Sequence, residues 1–387
     1  MKIAVIGSKG LPPGQGGIEH HCAEIYPRLV EQGHQVVLFG RASYQQQPQR
    51  RYFYRGVRVV NLPSIPLRGV DALANSAVAA VAASLGGFDI VHFHALGPSL
   101  FTWVPRLLAP RARVVVTCHG LDWQRSKWGK LSSQLILWGE RAAVRYAHTI
   151  GVVSEELQQY LRATYDRDST YISNAPAVYA AGDTGAAFSQ RYDLEPRRYI
   201  VFLGRMVPEK CPDLLIRAFQ QLRPQGWQLV LVGGNSDTGS YIDNLNRLVG
   251  NDPAIHFTGE LHGEQLAEVV RGAGLFVLPS EVEGLPLALL EAMREGVPAL
   301  ASDIPVHCQL LGEGRGLLFQ RGSVDNCVAA LNWATQNPTS LGAMATKAQG
   351  YVQQHHSWDQ IAEDWLRVYG NLVGEPVLAA PIRTIRS

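Results

Sequence analysis

The sequence is poor in cysteine and in charge, and it has no long apolar run. Its five cysteines are an odd number and form no CxxC pair, which excludes a disulfide framework and a zinc-binding pattern. The formal net charge is only +2, which argues against a dedicated nucleic-acid-binding protein. Its least polar stretch, Ala72–Gly87, includes Asn75 and two serines and is too short to span a membrane. The N-terminal run Ile3–Ile6 is too short for a signal peptide.

These absences predict a cytoplasmic protein in a reducing compartment, either free or peripheral to the inner face of the membrane. The remaining composition is that of a folded chain, because 46% of the 387 residues are hydrophobic. That length is typical of two domains. Residues 1–175 carry a net charge of +8 and the remainder −6. This asymmetry favours different partners for the two halves, unless it is surface drift without meaning.

Strand-like and helix-like segments alternate along both halves of the chain. In the first half, Ile3–Ile6 is an apolar run that ends in glycine, as expected for a strand buried on both faces. A helix over Ile18–Gln32 follows, and Pro27 should kink or shorten it. Further strands are predicted at Val36–Phe39, Asp89–Phe93 and Val114–Cys118. The alternation indicates βαβ units with a parallel sheet.

The pattern restarts at Tyr199–Gly204, which again is a strand ending in glycine. A helix at Asp213–Leu222 follows, with later strands at Gln228–Val232, Ile255–Thr258 and Leu275–Leu278. We therefore predict an α/β protein with two Rossmann-like domains, joined by an aperiodic linker over Asn174–Gln190. The predicted divisions are an N-terminal domain at 1–175, a C-terminal domain at 176–356, a C-terminal helix at 357–373 and a tail at 374–387.

Two glutamates stand on either side of a predicted helix start. Gly284 marks a turn and Pro286 suits the first position of a helix, so Glu283 precedes the helix and Glu291 lies inside it. A helix N-terminus attracts anions. Glu283 is suited to hold sugar hydroxyls, and Glu291 to accept hydrogen bonds from a ribose diol. Taken alone, the pair is better explained by a preference of carboxylates for the helix start, where they cap their neighbours.

Two cations follow the strand that opens the second half. Arg205 and Lys210 lie on a loop at the carboxyl end of a parallel strand, where such sheets bind ligands. A guanidinium and an ammonium together match a diphosphate. The alternative is a local ion pair from Lys210 to Glu209 or Asp213.

The first half offers weaker signals of the same kind. The loop that ends in Gly14, Gln15, Gly16 and Gly17 precedes a helix and is a candidate phosphate cradle. His119 follows a predicted strand and should project from the sheet edge. His92 and His94 end another strand, and one of them is expected to be buried and hydrogen-bonded.

Together these motifs resemble the retaining glycosyltransferases of family 4, which have the GT-B fold. Glu283 and Glu291 look like that family's E-x7-E motif, and Gly204, Arg205 and Lys210 look like its G-R-x-x-x-x-K loop. The Gly16-Gly17 pair, the His119-Gly120 pair and the segment Ser302–Pro305 also fall in family order. The resemblance covers nearly the whole chain. It implies two Rossmann-like domains that face each other across a donor-binding cleft.

The resemblance also implies roles for single residues. Arg205 and Lys210 would neutralise the diphosphate of a nucleotide-sugar donor, and Glu291 would bind its ribose. Glu283 and the backbone of Gly284 and Leu285 would face the donor sugar. The remaining predicted site residues are His119 near the sugar and diphosphate, Gly16 and Gly17 beside the phosphates, and the backbone near Leu261 at the base. Cys211 departs from the family pattern, in which glycine is more usual.

The implied reaction needs neither a metal ion nor another cofactor. In such enzymes the leaving diphosphate is thought to accept the acceptor's proton on the same face, which retains the anomeric configuration. Catalysis then depends on positioning and on electrostatic stabilisation of the diphosphate. The acceptor is expected to be a saccharide or a lipid-linked saccharide, in polysaccharide or glycolipid assembly. Neither the base nor the sugar of the donor can be read from the sequence.

Two basic and aromatic stretches, residues 50–58 and 120–130, are candidates for contact with an anionic membrane. Their aromatic residues are equally suited to stack on sugars or to fill a core. Two other functions fit the same fold, namely a GT-B nucleotide-sugar epimerase and a non-catalytic nucleotide-sugar-binding protein. A Rossmann oxidoreductase is disfavoured, because both strand–loop starts lack the G-x-G-x-x-G fingerprint.

Overall fold

The computed structural model describes residues 1–13, 16–44, 49–63, 70–124, 129–179, 187–234 and 239–374. The chain divides into two compact units, one formed by residues 1–174 with 357–387 and the other by residues 175–356. Within the described ranges, none of the helices has the length and apolar character that a membrane-spanning helix needs. The predicted tail beyond Gly374 lies outside the described residues.

The first unit is built from parallel strands and the helices between them. Its strands are β1 (Lys2–Ile6), β2 (Gln35–Arg41), β3 (Arg51–Tyr54), β4 (Val57–Leu62), β5 (Ile90–His94), β6 (Arg113–Cys118), β7 (Thr149–Val152) and β8 (Thr170–Tyr171). Its helices before the crossover to the second unit are α1 (Gly17–Glu31), α2 (Val70–Leu85), α3 (Trp103–Leu108), α4 (Lys130–Tyr146) and α5 (Glu155–Tyr165).

The second unit repeats this plan, and one last helix follows it. Its strands are β9 (Tyr199–Leu203), β10 (Gln228–Val232), β11 (Ile255–Gly259), β12 (Leu275–Leu278), β13 (Ala299–Ser302) and β14 (Leu317–Phe319). The helices are α6 (Ala187–Arg191), α7 (Pro212–Leu222), α8 (Gly239–Val249), α9 (Gly263–Gly272), α10 (Leu287–Arg294), α11 (Pro305–Leu311), α12 (Val324–Gln336), α13 (Pro338–His355) and α14 (Trp358–Val373).

In both sheets the strand order reverses at the strand that comes first in the chain. In the first unit the order is β3-β4-β2-β1-β5-β6-β7-β8, and β3 alone of the described strands pairs antiparallel. In the second unit the order is β11-β10-β9-β12-β13-β14, with parallel pairing throughout. The predicted alternation into two parallel sheets is confirmed. In such sheets a crevice opens at the carboxyl ends of the strands, at the point where the order reverses.

The prediction that Pro27 shortens the first helix is wrong. Helix α1 runs without interruption from Gly17 to Glu31 with Pro27 buried inside it. Proline removes one backbone hydrogen bond. Here that loss is outweighed by packing, because α1 buries Cys22, Ile25 and Leu29 and also packs against α14.

The predicted linker contributes to the core of the second unit. Ala175 and Tyr179 are buried, and Tyr179 belongs to the apolar cluster around β9. Residues 180–186 of this stretch lie outside the described residues, and α6 begins at Ala187. An absence of hydrophobic periodicity therefore did not indicate an absence of packing in this stretch.

Candidate functional site

In the second unit, the predicted donor-site residues follow strands on both sides of the switch point. The loop that carries Arg205 and Lys210 follows β9, and the loop that carries Glu283 follows β12. These two strands are neighbours, although the chain visits β10 and β11 between them. The parallel pairing therefore brings both loops to the same edge of the sheet. The sequence placed each loop after a strand, but only the strand order makes them adjacent.

Lys210 and Glu283 form an ion pair at this edge. The Lys210 Nζ atom lies 2.6 Å from Glu283 Oε1, and the two side chains are only 16% and 11% exposed. The Ser280 hydroxyl donates a second hydrogen bond to the same oxygen, at 2.7 Å. Burial by itself would raise the pKa of Glu283, but the charge and hydrogen bond of Lys210 and the hydrogen bond from Ser280 together lower it. Glu283 is therefore held as a carboxylate. The ion pair of Lys210 is with this distant residue, and not with Glu209 or Asp213 as in the alternative considered from the sequence.

A buried histidine stands behind this pair, which the sequence analysis missed. The His307 Nδ1 atom lies 2.9 Å from the Ser302 carbonyl oxygen, so this nitrogen carries the proton. The Ser302 hydroxyl in turn donates to the Ser280 carbonyl oxygen at 2.5 Å. Burial lowers the pKa of His307 to about 4, so its ring is neutral, although Glu283 acts in the opposite direction. The only signal in the sequence was its position two residues after Pro305, at the start of α11.

Within the described residues, the Nε2 atom of His307 is buried without a hydrogen-bond partner. Because Nδ1 carries the proton, Nε2 presents a lone pair. A neutral imidazole in this state accepts a hydrogen bond from a hydroxyl or an ammonium group. The loops after β9, β12 and β13 thus combine a cation, a carboxylate and a neutral acceptor.

Glu291 has a different environment from Glu283. It lies in α10, and its Oε2 atom accepts a hydrogen bond from the Tyr179 hydroxyl at 2.8 Å. Burial raises the pKa of Glu291 to about 7, although hydrogen bonds from Tyr179 and the Ala177 backbone oppose this rise. The E-x7-E pair is therefore electrostatically unequal, because the pKa of Glu283 is lowered whereas that of Glu291 is raised to about 7. Tyr179 was missed because it lies in the stretch predicted to be a linker.

Four other predicted donor-site residues also belong to the second unit. Arg205, Gly284 and Leu285 are half-buried in the loops after β9 and β12. Leu261 is half-buried two residues after the end of β11 and packs on the core of the unit. The structure places all four in loops that follow the carboxyl ends of strands. Their roles in donor binding stay predictions.

The unusual residue Cys211 occupies a backbone conformation that favours glycine. Its φ is 49° and its ψ is 43°, in the left-handed region, between the Pro208–Lys210 turn and α7. An L-residue in this region is disfavoured by contact between its Cβ atom and the backbone. This explains why glycine is more usual here. The thiol remains buried and donates a hydrogen bond to the Pro208 carbonyl oxygen at 3.2 Å.

In the first unit, the glycine-rich loop follows β1, again beside the switch point. Gly7 has a φ of 106°, and a Cβ atom there would lie 2.2 Å from the His94 carbonyl oxygen, so only glycine allows this approach of β1 and β5. Gly16 has a φ of 119° and directly precedes α1, which begins at Gly17. The Glu19 carboxylate accepts a hydrogen bond from the Lys9 backbone N–H at 3.0 Å. Gly14 and Gln15 lie outside the described residues.

Histidines from three elements meet at the same edge of this sheet. The His94 Nδ1 and His119 Nε2 atoms are 3.0 Å apart, which is a hydrogen bond between the ends of β5 and β6. The ring of His21, from α1, packs edge-on against both at centroid distances of 5.2 and 4.9 Å. His21 Nδ1 lies 2.5 Å from Asn174 Oδ1. His119 is half-buried at the rim of the cluster, while His21 and His94 are buried.

Burial keeps His21, His92 and His94 neutral. It lowers the pKa of His21 to about 4, against the effect of the Asn174 hydrogen bond. It also lowers the pKa values of His92 and His94 well below the usual range, and neighbouring histidines add to this effect. Both His92 and His94 contact the Tyr26 hydroxyl, at 3.0 and 2.6 Å. The sequence predicted that one of this pair is buried, and the structure buries both.

Three imidazoles in one cluster are also a ligand set that metals use. One nitrogen each from His21, His94 and His119 lie within 4.8 Å of one another, and neutral imidazole is a ligand of zinc and related ions. The direct hydrogen bond between His94 and His119 gives the cluster a structural role without an ion. The described residues thus offer a hydrogen-bonded network in one unit and an ion pair in the other.

Comparison with known protein families decides what kind of protein this is. Residues 15–175 match the family model described as "Glycosyltransferase Family 4", and residues 187–354 match "Glycosyl transferases group 1". The chain belongs to glycosyltransferase family 4. The two matches fall in the order, and at nearly the divisions, of the two units in the structure. The family that the motifs resembled is thereby confirmed.

Among curated relatives, this glycosyltransferase is similar to D-inositol 3-phosphate glycosyltransferases. It is 27% identical to that of Rhodococcus erythropolis over 404 residues, which covers 95% of this chain and 90% of the relative. It is 29% identical to that of Salinispora arenicola over 399 residues, with coverages of 92% and 88%. The similarity therefore extends over both units.

Solved structures confirm the GT-B fold of this glycosyltransferase. Sucrose-phosphate synthase from Thermosynechococcus elongatus superposes with a TM-score of 0.82 at 23% identity, covering 97% of this chain and all of the other. HepE from Anabaena, in complex with UDP and glucose, gives a TM-score of 0.79 at 18% identity, with coverages of 96% and 100%. At these identities the likeness establishes the fold alone.

Proposed function

We propose that this glycosyltransferase moves a sugar from a nucleotide-sugar donor to a saccharide or lipid-linked acceptor, with retention of the anomeric configuration. The observation that carries the proposal is the ion pair of Lys210 and Glu283 at the switch point of the second sheet. The Anabaena HepE structures in complex with UDP and with UDP-glucose support a nucleotide-sugar donor. The relatives that act as D-inositol 3-phosphate glycosyltransferases support a hydroxyl group on a small, phosphorylated ring as one class of acceptor.

In the proposed donor complex, Arg205 and Lys210 neutralise the diphosphate. The ammonium of Lys210 already lies at the sheet edge, where Glu283 fixes its position at 2.6 Å. Charge placed in advance stabilises a leaving group without reorganisation during the reaction. The two cations would therefore do the work that a metal ion does elsewhere, and we propose that the reaction needs neither metal nor cofactor.

The transfer step follows from this charge arrangement. The bond between the anomeric carbon and the diphosphate oxygen breaks, and the acceptor oxygen forms a bond to the same face of that carbon. The acceptor's proton passes to the departing diphosphate oxygen. The anomeric carbon gains positive character on the way, and the Glu283 carboxylate, ionised because of Lys210, stabilises it. His307 lies near Glu283 and is neutral, so it adds no positive charge that would oppose this stabilisation.

The remaining predicted residues complete the proposed donor site. The Glu291 carboxylate accepts hydrogen bonds from the ribose, and the backbone near Leu261 meets the base. Gly284 and Leu285 present backbone N–H groups to the donor sugar. In the first unit, Gly16 and Gly17 border the phosphates, and His119 donates a hydrogen bond to the sugar or the diphosphate.

We also propose that the acceptor belongs to the assembly of a polysaccharide or a glycolipid. The net charge of +8 over residues 1–175 favours an anionic partner, such as a phosphorylated acceptor or the inner face of a membrane. We therefore propose a cytoplasmic enzyme that works at or near this surface and binds no nucleic acid.

The decisive experiment measures nucleotide release from UDP-, GDP-, ADP- and dTDP-sugars, with and without a lipid-linked acceptor extract. The expected result is release from one donor, which is lost in Glu283→Gln and kept in Glu313→Gln. The second variant is a matched control, because Glu313 is an ion-paired carboxylate of the same unit that is paired with Arg315, away from the switch point. Proton NMR of the product then assigns the anomeric configuration.

Three results would contradict the proposal. Binding of a nucleotide-sugar without release, whatever the acceptor, indicates a binding protein. An altered sugar still attached to its nucleotide indicates an epimerase. A product of inverted configuration keeps the transferase but refutes the same-face reaction.

A further inference from the structure

Helices α2, α3 and α4 form one outer layer of the first unit. Each connects a strand to another one further along the β1-β5-β6-β7 side of the sheet, whereas α1 connects β1 to β2 in the opposite direction. Right-handed crossovers place connections of opposite direction on opposite faces. The three helices therefore cover the face away from α1, and α3 packs against both α2 and α4.

The outer surface of this layer is unusually apolar. Of the fourteen large apolar side chains exposed in the described part of the chain, eight lie on these three helices. They are Val78, Val81 and Leu85 on α2, Trp103, Leu107 and Leu108 on α3, and Leu131 and Trp138 on α4. Leu85, Leu107 and Leu131 are 77%, 69% and 76% exposed. These side chains lie on adjacent helices, because α3 packs against both α2 and α4. Large exposed apolar surfaces mark interaction sites more often than scattered single residues do.

The charges of this layer have one sign. Its exposed charged side chains are all basic, and they are Arg106, Lys130, Arg141 and Arg145. The two carboxylates on the three helices, Asp71 and Glu140, are both buried. Glu140 faces inward, where it accepts hydrogen bonds from Trp123, Tyr160 and Tyr165.

We propose that the outer face of α2, α3 and α4, here called the helical face, docks on an anionic lipid bilayer. Leucine and valine side chains enter the boundary of the acyl chains, and tryptophan favours the headgroup level because its ring is apolar and its N–H is polar. Exposed arginines next to these side chains attract anionic headgroups. A protein partner of ordinary composition would find no exposed carboxylate on these helices to pair with its own basic groups.

Apart from Lys130, this surface differs from the two stretches that the sequence singled out. Residues 51–54 form β3, the edge strand that pairs antiparallel with β4. Residues 125–128 of the other stretch lie outside the described residues. The helical face escaped notice because its apolar and basic residues come from three separate helices. The inference rests on the proposed function in one respect, because docking on a bilayer would bring the enzyme to a lipid-linked acceptor.

The experiment is co-sedimentation of the full chain with two kinds of phosphatidylcholine vesicles. One kind contains about 30% phosphatidylglycerol, as an anionic leaflet would, and the other contains none. We expect binding to the anionic vesicles only, at low salt. Trp103→Ser combined with Trp138→Ser should weaken binding about tenfold, because two partly buried rings are lost from the bilayer boundary. Arg141→Ser combined with Arg145→Ser should weaken it about 25-fold, at about fivefold for each charge.

The matched control is Trp333→Ser, which removes an exposed tryptophan, slightly less accessible than Trp103 and Trp138, from α12 of the second unit. It should bind vesicles like the unchanged chain. Nucleotide release from the donor by all variants reports folding separately from docking, so a failure of the proposed function and a failure of docking are distinguishable.

Several outcomes would overturn the proposal. One is no binding to anionic vesicles at low salt, and another is equal binding to neutral vesicles. Equal weakening in Trp333→Ser would also overturn it. Finally, a chain that is dimeric in solution and becomes monomeric in the double tryptophan variant would show that the helical face pairs with a second copy instead.

Discussion

Separating the stability of the Lys210–Glu283 pair from its chemistry is the sharpest test of the site. In Lys210→Met, the carboxylate of Glu283 loses its cation and keeps the hydrogen bond from the Ser280 hydroxyl. In the double variant with Glu283→Gln, neither charge of the pair remains. We expect the single variant to be much less stable than the double variant, although both lose sugar transfer.

The magnitude follows from the geometry. At 2.6 Å and an effective dielectric constant of about 20, the Coulomb attraction is about 6 kcal/mol. Part of it offsets the desolvation of the ammonium group, and removal of one partner from a buried pair typically costs about 3–5 kcal/mol. We therefore expect Lys210→Met to lose about 3 kcal/mol of unfolding free energy. The double variant should lose about 1 kcal/mol, because uncharged groups of similar volume replace the pair.

The pH dependence has a defined sign. In the unchanged chain the pKa of Glu283 is lowered, so its contribution is present above the unfolded pKa of the carboxyl group and is lost as the pH falls below it. Without Lys210, burial raises this pKa, so the variant should lose stability as the pH rises through the raised value. Relative to the unchanged chain, Lys210→Met should therefore be less destabilised at pH 5 than at pH 7.5.

The assay is urea unfolding of the full chain by circular dichroism, with hydrogen exchange to localise the change to β9 and β12. Sugar transfer is measured in parallel and should fall by about two orders of magnitude or more in both variants. A coupling energy below about 1 kcal/mol between the two changes would refute the reasoning. So would transfer activity that returns in the double variant together with its stability.

Three further predictions concern other parts of the two units. Since the pKa of Glu291 is raised to about 7, donor affinity by calorimetry should increase between pH 6 and 8, and Glu291→Gln should remove this increase; an unchanged profile would contradict the ribose role. The lowered pKa values of His21, His92 and His94 mean that the unfolded chain binds more protons below pH 6.5. At pH 5.5 the first unit should therefore lose about 1.4 kcal/mol for each histidine relative to neutral pH, and tryptophan fluorescence in urea that shows no such loss would refute their burial. The backbone of Cys211 is in the left-handed region. Cys211→Gly should therefore change the unfolding free energy by less than about 1 kcal/mol, whereas Cys211→Val should lower it by about 2 kcal/mol. Equal unfolding free energies for the two variants in thermal unfolding would contradict this conformation.

Much of the fold could be predicted because it depends on local patterns. Apolar runs that end in glycine located β1 and β9, and turn residues located the loops that follow them. Pro27 was misjudged because its effect depends on packing of α1 against α14, which comes from the far end of the chain. Tyr179 was misjudged because a single side chain in an aperiodic stretch gives no periodic signal.

The sequence by itself determined the family and the residue types of the candidate site. The spacing from Glu283 to Glu291 and from Gly204 to Lys210 carries that information, because each motif lies in a single loop or at a single helix start. Those features persist in any sequence that keeps the local geometry.

Only the tertiary structure decided which groups act on one another. Strand order brings Lys210, Glu283 and His307 to one edge of the second sheet, although Lys210 and His307 are 97 positions apart in the sequence. Burial and these contacts then set their charges. Lys210 and the Ser280 hydrogen bond keep Glu283 ionised against the effect of burial, whereas burial raises the pKa of Glu291 to about 7 and keeps His307 neutral. Proximity and desolvation both arise from contacts between distant segments, and no local pattern in the chain encodes them.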